Sequence, residues 1–223
     1  MDPNSVLVVM CRRPALGVGK QRLAHSVGAE AALAIAERLL ACTLEDAALW
    51  PHELVLAPAE ANDGTWARTR LQRPLQVIAQ TAGNLGERIN AIDAALRAQG
   101  AQRLLFIGTD APALSLPDLL AAARALEVQG DDCDAALAAA EDGGVTLMAS
   151  RRPWPPLWQL PWSTGKLGMA LRQTCGAQGW RVAALPPGFD VDNAADLPRA
   201  LLALQDDARV ARRELCATIR SLT

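Results

Sequence analysis

The segment Arg103-Leu104-Leu105-Phe106-Ile107-Gly108-Thr109-Asp110-Ala111-Pro112 decides how this chain is read. After the arginine it is a short apolar run, too short for most helices and bounded by glycine and proline. That is the pattern of a strand buried on both faces of a parallel sheet. The strand stops at Gly108, and two residues later the chain presents a lone carboxylate, Asp110. Pro112 disfavours helical geometry at Ala111, so Asp110 is expected in a loop at the carboxyl end of the strand. In open α/β sheets that edge is where ligands bind. An acid delivered there suits a divalent cation held against phosphates, and the other elements are expected to gather a nucleotide site around it.

Composition sets the bounds. The chain has 223 residues, enough for one well-buried α/β domain and few for two. A net charge of −2 with both signs scattered gives no reason to expect nucleic acid or an anionic membrane as partner. Cys11, Cys42, Cys133, Cys175 and Cys216 are odd in number and far apart, with no C-x-x-C pair. This argues against a disulfide framework or a zinc site and for a reducing compartment. The apolar run Val6 to Cys11 is too short for the core of a signal peptide, and no segment approaches the roughly 20 apolar residues of a membrane span. A cytoplasmic protein is expected. The sequence does not decide oligomeric state, and a homodimer stands among the expected assemblies.

Upstream of the deciding segment, Ser5 to Met10 reads as a first strand and is followed by a loop through Leu23 that contains Arg12, Arg13, Gly17, Gly19, Lys20 and Arg22. A strand running into a basic, glycine-containing loop and then a helix is a phosphate cradle: backbone N–H groups point at the anion, and Lys and Arg neutralise it. It is not a Walker A loop, because Pro14 stands where the first glycine belongs and Gln21 replaces the Ser or Thr. An ordinary basic surface loop is the competing reading. A helix is expected from Gly28 to Trp50, a strand from Glu53 to Ala57, a helical or irregular segment from Asn62 to Leu71, and a strand from Leu75 to Ala79. The run Gln80-Thr81-Ala82-Gly83-Asn84-Leu85-Gly86-Glu87-Arg88 then opens a helix through Leu96. It reads either as a loop closing on a nucleobase or phosphate or as a capped surface turn.

Downstream, Ser115-Leu116-Pro117-Asp118 resembles a capping box for a helix reaching about Val128 and ended by Gly130-Asp131-Asp132. Cys133 to Ala140 and Val145 to Ala149, joined by Glu141-Asp142-Gly143-Gly144, form a candidate hairpin, so the sheet is expected to be mixed. Prolines exclude regular structure from Arg151 to Thr164. There Trp154, Trp158 and Trp162 are candidate walls of an acceptor pocket, with Trp154 and Trp158 expected instead to pin the loop to the core. Gly165 to Cys175 reads as a helix and Trp180 to Leu185 as a last core strand. In extended geometry Asp190 and Asp192 point to the same side, which is costly unless a cation joins them. Asn193 is expected to N-cap a helix through Leu204, and a last amphipathic helix, about Asp206 to Ile219, to pack on the outside. Strands alternating with helices give a single three-layer α/β/α domain spanning residues 1–223 with a mostly parallel, mixed sheet.

Several of these stations, in order, resemble a known family. Arg13 to Ala24 is similar to the K-x-P-x-x-G-x-x-K-T-R-L signature of a bacterial transferase family described as rSAM/selenodomain-associated, within the GT-A glycosyltransferase-like superfamily. The segments at Gln80, Gly108, Glu141, Trp162 and Asp190 agree with it. The superfamily includes molybdopterin and phospholactate guanylyltransferases. The resemblance implies that Lys20 and Arg22 hold nucleotide phosphates, assisted by Arg12, Gly17 and Gly19. It implies that Asp110 binds Mg²⁺ (or Mn²⁺) with Asp192, beside Asp190. It also implies that Gly83, Asn84, Gly86 and Arg88 lie against the nucleotide, and that Asp142 and Trp162 to Thr164 face the acceptor. The chain departs from the family at Gln21 and at Asp142-Gly143-Gly144-Val145-Thr146-Leu147-Met148-Ala149, where the family carries D-G-G-Y-Y-L-I-G. The expected activity is nucleotidyl transfer from a nucleoside triphosphate to a small phosphorylated acceptor. A glycosyltransferase using a nucleotide sugar, with Asp142 as base, and a non-catalytic nucleotide-binding protein are the alternatives.

Overall fold

The computed structural model describes residues 5–127 and 133–222. One seven-stranded sheet runs through the molecule, built from β1 (Ser5–Cys11), β2 (Glu53–Pro58), β3 (Gln76–Val77), β4 (Arg103–Ile107), β5 (Ala135–Ala140), β6 (Val145–Ser150) and β7 (Val182–Gly188) in the order β3-β2-β1-β4-β6-β5-β7. β1 pairs in parallel with β2 and β4, β2 with β3, and β5 with β7. β6 is antiparallel to both neighbours, which makes β5 and β6 the expected hairpin and the sheet mixed. The chain leaves β1 toward β2 on one side and returns to β4 on the other. The strand order therefore reverses between β1 and β4, and their carboxyl ends flank the switch point where ligands bind in such sheets.

Alternation along the strands fills two layers. Leu7, Val9, Leu56, Leu105 and Ile107 face α2 (Ala29–Ala48) and α5 (Leu116–Ala125), while Val6, Val8, Leu104, Phe106 and Met148 face α4 (Leu85–Ala98) and α6 (Leu167–Ala177). A third apolar cluster joins α1 (Gln21–Val27) and α2 to α7 (Asp196–Ala203) and α8 (Val210–Arg220) through Leu23, Ile35, Leu197, Leu215 and Ile219. α4 opens with a full capping box, in which Asn84 Oδ1 accepts from Glu87 N and Glu87 Oε2 accepts from Asn84 N. α5 opens with another, between Ser115 and Asp118.

Several expectations are corrected. Gln21 to Leu23, read as the end of the basic loop, already belong to helix α1 (Gln21–Val27), and Gly28, at φ 89°, separates it from α2. Seven residues span barely two turns, too little for a periodic signal. The doubtful Asn62 to Leu71 segment is a single 3-10 turn followed by the short helix α3 (Gly64–Arg68), and β3 keeps only two of its five expected residues. α5 ends at Ala125; Val128 and Gly130-Asp131-Asp132 lie outside the described residues. β7 is an edge strand, not a core strand, and that is why it tolerates Pro186 and Pro187. α7 begins at Asp196, so Asn193 is not its N-cap; its Oδ1 accepts from Ala195 N in a local turn. In the proline-rich segment Trp154 is buried against Trp180, with ring centroids 5.6 Å apart, but Trp158 is 48% exposed and is tied through its carbonyl, which accepts from Asn84 Nδ2. That segment is held instead by polar groups of α4: Asn90 Oδ1 accepts from Leu157 N, and Asp93 Oδ2 from Trp154 N.

α8 is expected on the outside, yet it carries the most buried cation of the molecule. Arg212 is fully buried, and its guanidinium donates to the carbonyls of Pro112, Cys42 and Leu114 and to the carboxylates of Glu45 and Asp46. Arg209 adds a second cation, its Nη1 donating to both oxygens of Asp46. The loop after Asp110 is thereby tied to the end of α2. No helix among the described residues is long and apolar enough to cross a membrane. The Cys11 and Cys42 thiols are pushed up to about 12 by burial, which leaves them protonated and inert. Arg212→Met leaves the buried carbonyls of Pro112, Cys42 and Leu114 without their donor and takes one of two guanidinium partners from Asp46, which is 4% exposed and keeps Arg209. The expected loss is about 4 kcal/mol, or roughly 10 °C in Tm for a chain of this size, read by calorimetry.

Candidate functional site

The loop leaving β1 is shaped by its backbone. Gly17 and Gly19 have φ of 75° and 70°, and Lys20 follows in the left-handed region at φ 48°, ψ 34°. For a residue with a Cβ that conformation costs roughly 1 kcal/mol or more. Gln21 closes the turn, its Nε2 donating to the Gly17 carbonyl at 2.7 Å. An amide at this position thus gives the loop an internal tie.

The left-handed turn sends Lys20 inward. Its ammonium lies 2.6 Å from Asp110 Oδ1 and 3.2 Å from Asp192 Oδ1, and donates to the Val191 carbonyl at 2.6 Å. Asp110 arrives from the end of β4, Asp192 from the loop after β7. Those two loops also meet directly, Val191 N donating to the Asp110 carbonyl at 2.9 Å. Asp196 holds the second loop in place, its Oδ2 accepting from the backbone N–H groups of Asp192 and Asn193.

Two cavities open at this edge, and Asp110 lines both. The larger, about 340 Å³, is basic: Arg12, Lys20 and Arg22 line it with Gly19, Thr109 and Asp192. Arg12 and Arg22 are exposed and make no ion pair among the described residues. The smaller, about 180 Å³, is walled by Met10, Leu85, Phe106, Met148 and Trp162, with Asp190 at its rim. Asp190 is pushed up to about 7, first by burial and then by the like charges of Asp110, Asp142 and Asp192, against which Lys20 works. One ammonium is thus paired with Asp110 and Asp192 and acts on Asp190 as well.

Of the residues singled out from sequence, the structure brings Arg12, Gly19, Lys20, Arg22, Asp110 and Asp192 onto one cavity. Gly17 lies in the same loop and contributes its carbonyl to the turn. Asp190 and Asp192, expected to point one way, open onto different cavities. Their segment is not strand, and Val191 is buried between them. Gly83, Asn84, Gly86 and Arg88 do not line the basic cavity. Asn84 caps α4, and Arg88 donates to the Gly83 carbonyl. A Cβ on Gly86 would fall 2.3 Å from the Leu157 carbonyl oxygen and 2.6 Å from Trp162 Nε1, so this glycine is needed to seat Trp162. Ser163 takes a positive φ of 60°, and Thr164 donates to the Pro161 carbonyl; neither lines the two cavities. Asp142 Oδ1 accepts from Gly144 N and so caps its own turn. Among the described residues no group of three or more His, Cys, Asp or Glu side chains is placed to hold a metal ion. Met10, Phe106 and Met148 were not marked by the sequence. Their signal is that each is a bulky apolar residue near the same edge and on the same face of neighbouring strands.

The fold is that of the GT-A-like transferases. A crystal structure from Desulfovibrio desulfuricans G20, provisionally named a nucleotide-diphospho-sugar transferase, superposes with a TM-score of 0.85 at 23% identity, covering 98% of each chain. A cytidylyltransferase from Leptospira borgpetersenii gives 0.59 at 12% identity over 98% of this chain and 94% of that one. Glucosyl-3-phosphoglycerate synthase from Mycobacterium tuberculosis gives 0.53 at 14% identity over 98% and 80%. At these identities the likeness is one of fold. The chain belongs to the family described as "Uncharacterized protein conserved in bacteria" (DUF2064), whose model matches residues 40–164. No curated protein matches it in sequence.

The raised Asp190 has a consequence for stability. Its ordinary value is 3.8, and in the folded chain it is about 7. The folded state therefore holds this proton more tightly than the unfolded state, and the stability it contributes is full below about pH 4 and lost as pH rises through 7. In metal-free buffer, thermal melts across that window should fall less steeply for Asp190→Asn than for the unaltered chain. At pH 8 the variant should melt higher; an unchanged slope contradicts the burial argument.

Proposed function

We propose that residues 1–223 act as a single nucleotide-using, divalent-metal-dependent transferase domain, and that its reaction is nucleotidyl transfer to a small acceptor carrying a phosphate nucleophile. The observation that carries this reading is the Lys20 ammonium set between Asp110 and Asp192 on the wall of a basic cavity at the switch point of the sheet. Arg12 and Arg22 face the same space, so three cations surround a volume suited to a di- or triphosphate. Lys20 can exchange carboxylate oxygens for phosphate oxygens without leaving the cavity wall.

The donor set suits Mg²⁺ or Mn²⁺. Asp110 and Asp192 offer hard oxygen ligands from two loops, and such ions are commonly held by one or two carboxylates completed by substrate phosphates. Asp190 is pushed up first by burial and then by the carboxyl groups around it, and a further positive charge would relieve that second cause. Bound there, the ion would neutralise charge on the donor phosphates. Asp110 and Asp192 would orient it, while Lys20, Arg12 and Arg22 would take the charge that builds on the leaving pyrophosphate. A phosphate nucleophile needs no base, so no histidine is required of the chain.

Glycosyl transfer is a second reading, favoured by the carboxyl group of Asp190 on the rim of the apolar cavity beside Asp110. Asp142, expected as base, is occupied by its own turn. Relatives in fold are named for both reactions.

Thermal melts with nucleoside triphosphates and nucleotide sugars, each with and without Mg²⁺ or Mn²⁺, test the proposal. A ligand at about 100 times its Kd stabilises by roughly 2.7 kcal/mol, or about 5–10 °C here. The shift should need metal and vanish in Asp110→Ala and Lys20→Ala. Pyrophosphate release from a triphosphate supports nucleotidyl transfer, and hydrolysis of a nucleotide sugar supports glycosyl transfer. Tight binding with neither points to the non-catalytic alternative. No shift with any nucleotide overturns the reading.

A further inference from the structure

The smaller cavity has a composition of its own. Its walls are the side chains of Met10, Phe106 and Met148 from the sheet, Leu85 and Ile89 from α4, and Trp162 from the proline-rich segment. Its few polar groups are already used or are acids. Trp162 Nε1 donates to the Leu157 carbonyl at 2.7 Å, so the indole offers the cavity only an apolar face. The Thr146 hydroxyl is directed at the Ala138 carbonyl. What remains are the carboxyl groups of Asp110 and Asp190, and no Lys, Arg or His lines the space. This contrasts with the basic cavity on the other side of Asp110.

We infer that the 180 Å³ cavity is the acceptor subsite and takes the uncharged, apolar body of the acceptor, with the reacting head turned toward Asp110. The size is set by volume: a cavity of about 150 Å³ lined by Leu, Ile and Phe holds benzene, so this one takes a body of about six to eight heavy atoms. Charge sets the rest. An anionic body would lie among apolar walls with no cation to pair it. A polyol would leave its hydroxyls without partners against Met10, Phe106 and Met148. Continuity sets the direction, since Asp110 is common to both cavities and a head group beside it reaches the donor phosphates. The inference rests on the nucleotide-using reading only for the role of acceptor; the ligand preference of the cavity is measured independently.

The probe is benzyl alcohol, followed by methyl resonances of the protein labelled with [methyl-13C]methionine, in metal-free and nucleotide-free buffer. Met10 and Met148 line the cavity, while Met169, on α6 and 62% exposed, serves as internal control. Saturable shifts of Met10 and Met148 with Met169 unmoved are the expected result. They should disappear in Val145→Phe, which fills the cavity, and in Leu85→Trp, a change at an exposed helix position that guards against a folding failure in the first variant. 4-(Hydroxymethyl)benzoate, which puts an anion on the body, and glycerol should each bind at least about tenfold more weakly. Absence of saturable shifts, persistence of them in both filled variants, or equal binding of the anionic or polyol probe overturns the inference. Nucleotide melts on the same sample keep the two readings apart. Benzyl alcohol bound without nucleotide binding supports the cavity and sinks the donor site; nucleotide binding without benzyl alcohol does the reverse.

Discussion

Four carboxyl groups crowd one edge of the sheet, and a single lysine is set between two of them. Like charges brought this close repel unless a cation joins them, and Lys20 is joined to Asp110, to Asp192 and to the Val191 carbonyl at once. Three loops from different parts of the chain, after β1, β4 and β7, meet at that ammonium. Their assembly requires Lys20 to leave ordinary backbone geometry, and the glycines before it allow the turn that precedes it. Behind them Arg212 ties the Pro112 and Leu114 carbonyls to α2, so the β4 loop is gripped from both ends. An exposed lysine contact would contribute little; here the Lys20 side chain is 10% exposed and the geometry is shared among several acceptors.

How much of this was readable in advance follows from range along the chain. The strand ending at Asp110, the β5–β6 hairpin and the Ser115 capping box are written in neighbouring residues, and each appears in the structure. The basic loop was likewise visible, because Gly17, Gly19, Lys20 and Arg22 stand together. What stayed hidden depends on residues far apart. Arg212 meets its partners across separations of about a hundred residues and more, and its helix looked from sequence like an external amphipathic one. Strand geometry predicts one direction for Asp190 and Asp192, but Val191 is drawn inward by the Asp110 carbonyl and the strand pattern is lost. The apolar cavity is assembled from alternate positions of β1, β4 and β6, whose adjacency is fixed only by strand order.

Close approaches of backbone explain why certain glycines are indispensable to this arrangement. A Cβ on Gly143 would sit 1.9 Å from the Gly165 carbonyl oxygen, so the β5–β6 turn and the segment before α6 touch main chain to main chain. Gly86 does the same service under Trp162. Side chains, not secondary structure, are what these contacts place: the indole face on one side of the cavity and Asp142 near the carboxyl cluster. A family pattern that keeps glycines while changing the aromatics after them retains the frame and alters the lining.

Asp110 belongs to both cavities. A charge or dipole that enters either one alters the work of filling the other, and the two effects are equal by thermodynamic necessity. Whichever cavity were filled first, the gain or loss in affinity passed to the other would be the same in both directions. A single shared carboxylate is sufficient wiring for that reciprocity.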